Sequence, residues 1–273
     1  MAEVLNLEFW GVRGTCPVSG NNRSMYGGHT PCSSLETPDG NVLIIDAGTG
    51  IKRLGDKLQR ERGEKPLSLS LLLTHFHLDH IMGLPFFMPL FSPKVTLSVY
   101  TDCSPEETEE NLSGLMAGRY FPVSLEETQS KKIFKQVDKD GIEIGGSLIS
   151  YSPLNHPQGS IAYKIHAEKS AVVFATDTEH PQHGIDEKLV DFASGADVFV
   201  CDAMFTPEEY ESGRMGWGHS TWLEGTNLAK KAGVSKLYLS HFNPDHSDNQ
   251  IDEMITLARE KFPETYGAKE KSD

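Results

Sequence analysis

Five apolar runs in this sequence end in a polar cluster, and that recurrence is what most constrains the fold. Leu67 to Leu73 runs straight into Thr74-His75-Phe76-His77, and Leu148–Pro153 delivers Asn155-His156. Ala171–Ala175 delivers Thr176-Asp177-Thr178, Val198–Cys201 delivers Asp202, and Lys236–Ser240 delivers His241. Short apolar runs of this kind read as buried strands. Strands that each release titratable or hydrogen-bonding residues predict stacked layers, with a site built on loops at one sheet edge. Val95–Tyr100 adds a strand, Leu5 to Trp10 alternates with period two, and Val42 to Ile45 ends at Asp46-Ala47-Gly48. Ile51, Leu54 and Leu58 predict a helix over 51–62; others are expected over 186–194, 221–232 and 248–261, the last behind an Asp248 cap. No repeat or low-complexity segment interrupts this, so residues 1–273 read as one α/β (α+β) domain.

Composition excludes several classes. The chain has 273 residues, 38% apolar, which suffices for one large core or two modest ones. No run approaches the roughly 18 apolar residues of a membrane span. The start lacks a basic segment followed by an apolar one, so no secretory signal is expected. Cys16, Cys32, Cys103 and Cys201 lie far apart with no Cys-x-x-Cys pair, which fits neither a disulfide framework nor a thiolate zinc site. A reducing cytoplasm is the expected home. Lys and Arg total 25 against 39 Asp and Glu, a formal charge of −14. Such a surface repels a polyphosphate backbone, yet a local cation can still admit a small anionic substrate.

Residues 102–127 break the rhythm. Asp102, Glu106, Glu107, Glu109, Glu110, Glu126 and Glu127 face a single Arg119, and they enclose Leu115-Met116-Ala117 and Tyr120-Phe121-Pro122-Val123. The segment reads either as a solvated helix and loop, or as an acidic insertion whose apolar face forms a lid over the site or meets a partner subunit in a homodimer.

The densest chemistry is His75-Phe76-His77-Leu78-Asp79-His80: four ligand-type side chains in six residues, directly after an apolar run. Packing them as core would carry a heavy desolvation cost. Imidazole and carboxylate together suit zinc, manganese or iron. In an extended loop alternate residues share a side, so His75 and His77 can grip one metal while Asp79 and His80 turn toward a second.

His-x-His-x-Asp-His resembles the signature of the metallo-β-lactamase superfamily, a four-layer αββα fold with a binuclear site between its sheets. Asn155-His156, Thr176-Asp177-Thr178 and Ser240-His241 match that family's later motifs in order and context. The resemblance implies two divalent transition-metal ions: His75, His77 and His156 hold the first, Asp79, His80 and His241 the second, and Asp177 bridges. Gly218-His219-Ser220-Thr221 resembles the His-Ser-Thr segment of ribonuclease Z-like phosphodiesterases, which places His219 near the leaving group. Phe9 to Thr15 and Tyr26-Gly27-Gly28 resemble the branch that holds ribonuclease Z and small-molecule cyclic phosphodiesterases.

Around this set, Arg13 either meets a substrate phosphate or buttresses its loop. Asp46 closes the first hairpin or hydrogen-bonds a ligand histidine, and Asp202 stands near the site. His29, His180 and His183 receive no role; His166 and His246 are expected at the surface or behind the ligands.

Two close cations can share a water and bring its pKa toward neutrality. In the mechanism this resemblance implies, that hydroxide attacks phosphorus, Asp79 orients it, and His219 protonates the leaving alkoxide. The expected activity is hydrolysis of a small or cyclic phosphodiester. A lactonase-like acyl hydrolase shares the metal set. Transfer-RNA 3′ processing is disfavoured by the acidic insertion and the net charge, and a non-catalytic nucleotide-binding module is disfavoured by the complete ligand set.

Overall fold

A computed structural model describes residues 6–63, 65–138, 141–167 and 170–272. The first sheet takes its strands in chain order: β1 (Glu8–Gly11), β2 (Cys32–Glu36), β3 (Val42–Ile45), β4 (Leu67–Leu72), β5 (Val95–Thr101) and β6 (Lys131–Gln136). The pairs β1/β2 and β2/β3 are antiparallel, and β3 through β6 run parallel. In the second sheet β7 (Ile142–Ile144), β8 (Ser147–Leu154), β9 (Ser160–Ala167) and β10 (Ser170–Ala175) form an antiparallel meander. Then β11 (Val198–Asp202), β12 (Lys236–Ser240) and β13 (Thr265–Gly267) continue parallel to β10.

Period-two alternation explains the layering. In β3, Leu43 and Ile45 point into the core shared with Tyr163, Ile165 and Val172 of the second sheet. Val42 and Ile44 point the other way, onto Ile51, Leu54 and Leu58 of α1 (Ile51–Arg62). The far side of the second sheet is covered by α4 (Glu187–Ala193), α6 (Trp222–Ala232) and α7 (Asp248–Lys261), whose Leu189, Leu228 and Ile255 join the main core. The order is therefore helix, sheet, sheet, helix. The Tyr163 hydroxyl ties the sheets together by donating to the carbonyls of Leu73 (2.9 Å) and Tyr100 (3.3 Å).

Short helices complete the chain: α2 (Leu78–Ile81), α3 (Pro105–Leu115) and α5 (Pro207–Glu211). In the acidic segment, Leu112, Met116 and Leu125 pack into the outer core of the first sheet, while Glu106, Glu109, Glu110, Glu126 and Glu127 face solvent. Those three side chains belong to the fold, while Tyr120 is 80% exposed. One expected detail differs. The cap of α7 is Ser247, whose Oγ accepts from Gln250 N–H, and Asp248 instead accepts the backbone N–H of Met25 at 2.8 Å. No helix among the described residues is long and apolar enough to cross a membrane.

Candidate metal centre

The polar clusters predicted at strand ends meet at one edge of the two sheets. The β4 end carries Thr74 to His77 and leads into α2, which holds Asp79 and His80. The turn after β8 brings His156, β10 brings Asp177, β11 ends in Asp202, and β12 delivers His241. Ligand-type atoms of His75, His77 and His156 lie within 4.8 Å of one another, as do those of Asp79, His80 and His241. Asp177 stands between these groups. Its Oδ1 is 3.9 Å from His75 Nε2 and 3.8 Å from His156 Nε2, while its Oδ2 is 3.2 Å from His80 Nε2 and 3.4 Å from His241 Nε2.

What surrounds the imidazoles decides which nitrogen faces inward. His80 Nδ1–H donates to Asp46 Oδ2 at 2.8 Å, and His156 Nδ1–H donates to the Gly218 carbonyl at 2.7 Å. His77 Nε2–H donates to Gln158 Oε1 at 3.1 Å. The other nitrogens of these rings then face inward: His156 Nε2 lies 3.1 Å from His77 Nδ1, and His80 Nε2 lies 3.3 Å from His241 Nε2. His75 Nε2 is buried with no hydrogen-bond partner among the described residues. Burial, reinforced by His80, pushes the His75 imidazole down to about 2, so it is neutral. Burial acts to raise the Asp177 carboxyl, but His241 and His80 outweigh it and hold it well below the usual carboxylate range. Asp177 is thus a buried carboxylate ringed by imidazole nitrogens, a pocket that a cation can fill. The donor set fits divalent metal ions.

Backbone strain concentrates here. Thr15, Asp46, Gln158, Asp177 and His241 are the described non-glycine residues with positive φ, at +66, +61, +62, +58 and +58°. Each such conformation costs about 1–3 kcal/mol. All five touch the centre: Thr15 N–H donates to Asp79 Oδ2 at 2.8 Å, Asp46 and Gln158 hold imidazoles, and the other two belong to the cluster. Gly218, at φ +83°, is required for space as well, because a Cβ there would lie 2.3 Å from His156 Nδ1.

His219 joins Asp177, Asp202 and His241 in a further group whose ligand-type atoms lie within 4.8 Å of one another. Its Nδ1 is 3.0 Å from Asp202 Oδ2 and 3.9 Å from Asp177 Oδ1, and its ring stacks on His241 with centroids 5.0 Å apart. Burial opposes its protonation, but Asp202 and then Asp177 outweigh burial and raise it to about 9. Arg13 takes the buttress role: it is fully buried and donates to the carbonyls of Gly27, Asn243 and His246, with Asp248 at 3.6 Å. Asp46 does not close the hairpin; it orients His80. His246 is buried rather than at the surface and contacts Glu209 at 2.8 Å. His180 contacts Ser220 Oγ, His29 contacts Thr49 Oγ1, and His166 and His183 are exposed. Gln158 and Glu179 carry no sequence pattern that marks them. A cavity of about 250 Å³ on the His77 side is lined by His75, His77, Asp102, Glu107 and Gln158.

Residues 41–242 match the family described as a β-lactamase superfamily domain. An uncharacterised Mycobacterium leprae protein, ML1173, is 29% identical over 90% of this chain and 82% of its own. Ribonuclease Z of Lachnoclostridium phytofermentans is 25% identical over 85% of this chain and 88% of its own. Among solved structures, the metallo-β-lactamase fold protein YhfI from Bacillus subtilis superposes with a TM-score of 0.71, at 22% identity and 97% coverage of both chains.

Proposed function

The chain belongs to the β-lactamase superfamily, and from that premise we propose that it hydrolyses a small or cyclic phosphodiester with two divalent metal ions. His75, His77 and His156 would hold one ion, Asp79, His80 and His241 the other, and Asp177 would serve both. Zinc, manganese and iron all suit such donors. When bound, the ions supply Lewis acidity and a water acidic enough to act near neutral pH.

The chain's own residues supply the rest. Asp79 is fixed by the Thr15 N–H and can accept a hydrogen bond that orients an attacking water. Asp46, Gln158 and the Gly218 carbonyl hold three imidazoles in their tautomers. His219 Nδ1–H is held by Asp202, which leaves Nε2 to carry a proton to a departing alkoxide. That oriented histidine is the observation that carries the phosphodiester reading. An alkoxide leaving from phosphorus needs a proton. The ribonuclease Z relative supports the same bond class. A small substrate is favoured over transfer RNA by the net charge of −14 and by the exposed glutamates of the acidic segment, since both repel a polyanion.

The test is parallel turnover of bis(p-nitrophenyl) phosphate, a γ-lactone and a β-lactam by protein reconstituted with zinc, manganese or iron(II). Cleavage of the phosphodiester alone or far ahead of the others is expected. A lactone turned over while the phosphodiester is not would move the assignment to acyl hydrolysis.

A further inference from the structure

Residues 212–218 form a rim beside the metal centre that the hydrolytic reading leaves unused. The loop is shaped by one carboxylate. Glu179 accepts the backbone N–H groups of Gly216 (2.6 Å) and Gly218 (2.8 Å) and the hydroxyl of Tyr210 (2.6 Å). Glu179 follows Asp177 by two residues, so the loop is clamped to the same strand end that carries the buried aspartate.

This clamp holds an indole in the open. Trp217 is 55% exposed, whereas the chain's other tryptophans, Trp10 and Trp222, are buried. Large aromatic surface left in water forgoes favourable burial, and more than half of this side chain stays open. Trp217 nevertheless lies close to the chemistry. Its ring meets Phe205 edge-on with centroids 6.4 Å apart, and Phe205 meets the His219 ring in the same way at 6.1 Å. The adjacent Gly218 provides the carbonyl that holds His156. The Arg214 guanidinium stands 4.6 Å over the indole centroid and has no carboxylate partner among the described residues. In a chain of charge −14, an unpaired arginine stacked on an exposed tryptophan is a surface prepared for a planar, electron-rich, anionic molecule.

We propose that Trp217, with Arg214, is a stacking platform for the heterocyclic base of a nucleotide-type substrate. The inference rests on the phosphodiesterase reading and adds to it the group that sets specificity. A base offers a π-face for the indole and ring acceptors for the guanidinium edge, and the arginine charge also favours the attached phosphate. A simple alkyl phosphodiester has nothing to place there.

AMP and ribose 5-phosphate share sugar and phosphate and differ by the base, so their affinities separate the platform from the phosphate site. Calorimetric titration of metal-loaded wild type, Trp217→Ala, Trp217→Phe and Arg214→Ala reads both. Wild type is expected to bind AMP about 5- to 150-fold more tightly than ribose 5-phosphate, the range that one base–aromatic stack supports. Trp217→Ala should erase that preference while ribose 5-phosphate affinity stays, Trp217→Phe should keep most of it, and Arg214→Ala should reduce it. Equal wild-type affinities for the two ligands, or equal losses of both in Trp217→Ala, would overturn the platform. Turnover of bis(p-nitrophenyl) phosphate by the same preparations keeps the two ideas apart. Base-dependent binding without turnover sinks the hydrolytic reading alone, and turnover without base dependence sinks the platform alone.

Discussion

Asp202 accepts a hydrogen bond from His219 Nδ1 at 3.0 Å with the same oxygen that receives the backbone N–H of Asp177, also at 3.0 Å. Its other oxygen accepts the N–H groups of Met204 and Ser220, each at 3.0 Å. One buried carboxylate therefore sets the orientation of the histidine and the turn that carries the aspartate.

That arrangement makes the leaving group the diagnostic variable. His219→Ala is expected to slow an alkyl phosphodiester by about 10²–10⁴-fold, the usual worth of a general acid. It should barely change bis(p-nitrophenyl) phosphate, whose leaving group departs without help. Asp202→Asn should show the same bias in smaller measure, since an amide cannot accept from both sets of donors. Equal losses on both substrates would leave His219 as a positioning residue, and loss of metal would make it a ligand.

Asp177→Ala removes the carboxylate on which five imidazoles converge. Metal content by elemental analysis should fall from close to two ions per chain, and activity should collapse, while circular dichroism stays native. Retained turnover would contradict the assignment.

Two residues that hold imidazoles can be tested through metal affinity. Asp46→Asn loosens His80, and Gln158→Ala frees His77 Nε2. Each should weaken metal binding by about 10–100-fold. Competition with a chromophoric chelator reads this directly, and unchanged competition curves would show that backbone geometry alone orients the rings.

A pH prediction concerns Glu270, which belongs to none of the ligand groups. Burial raises its carboxyl from an ordinary 4.5 to about 7, against the lowering effects of the His29 N–H and of Arg53. The folded state thus binds this proton more tightly than the unfolded chain does. Its contribution to stability is full below about pH 4.5 and is lost as pH rises through 7. Wild type should lose up to about 3 kcal/mol relative to Glu270→Gln between those limits. Urea midpoints of both proteins at pH 5 and pH 8 measure it; parallel pH dependences would refute it.

Much of the centre was legible because its signal is local. His75, His77, Asp79 and His80 crowd six positions after an apolar run, where core packing is too costly. His156, Asp177 and His241 were readable as single polar residues at the ends of β-type runs, in an order that resembles a known family. The helices over 51–62, 221–232 and 248–261 were legible from periodicity, and they appear as α1, α6 and α7 within a residue at each end. The Asp248 cap was misread because Ser247 and Asp248 are both cap formers. Only the approach of Met25 and Arg13 draws Asp248 away.

The sequence by itself determined the alternation of strands and helices, and the end of the sheets at which the polar residues gather. These follow from burial and periodicity within a few residues. Tertiary structure alone decided which nitrogen of each imidazole faces inward, that Arg13 supports a loop, and that Gln158 and Glu179 matter. It also decided where Trp217 stands. Gln158 reaches His77 across 81 positions, and Glu179 reaches Gly218 across 39. A hydrogen bond between such distant residues leaves no periodic trace in either segment, because it exists only once both sheets have stacked and brought their ends together.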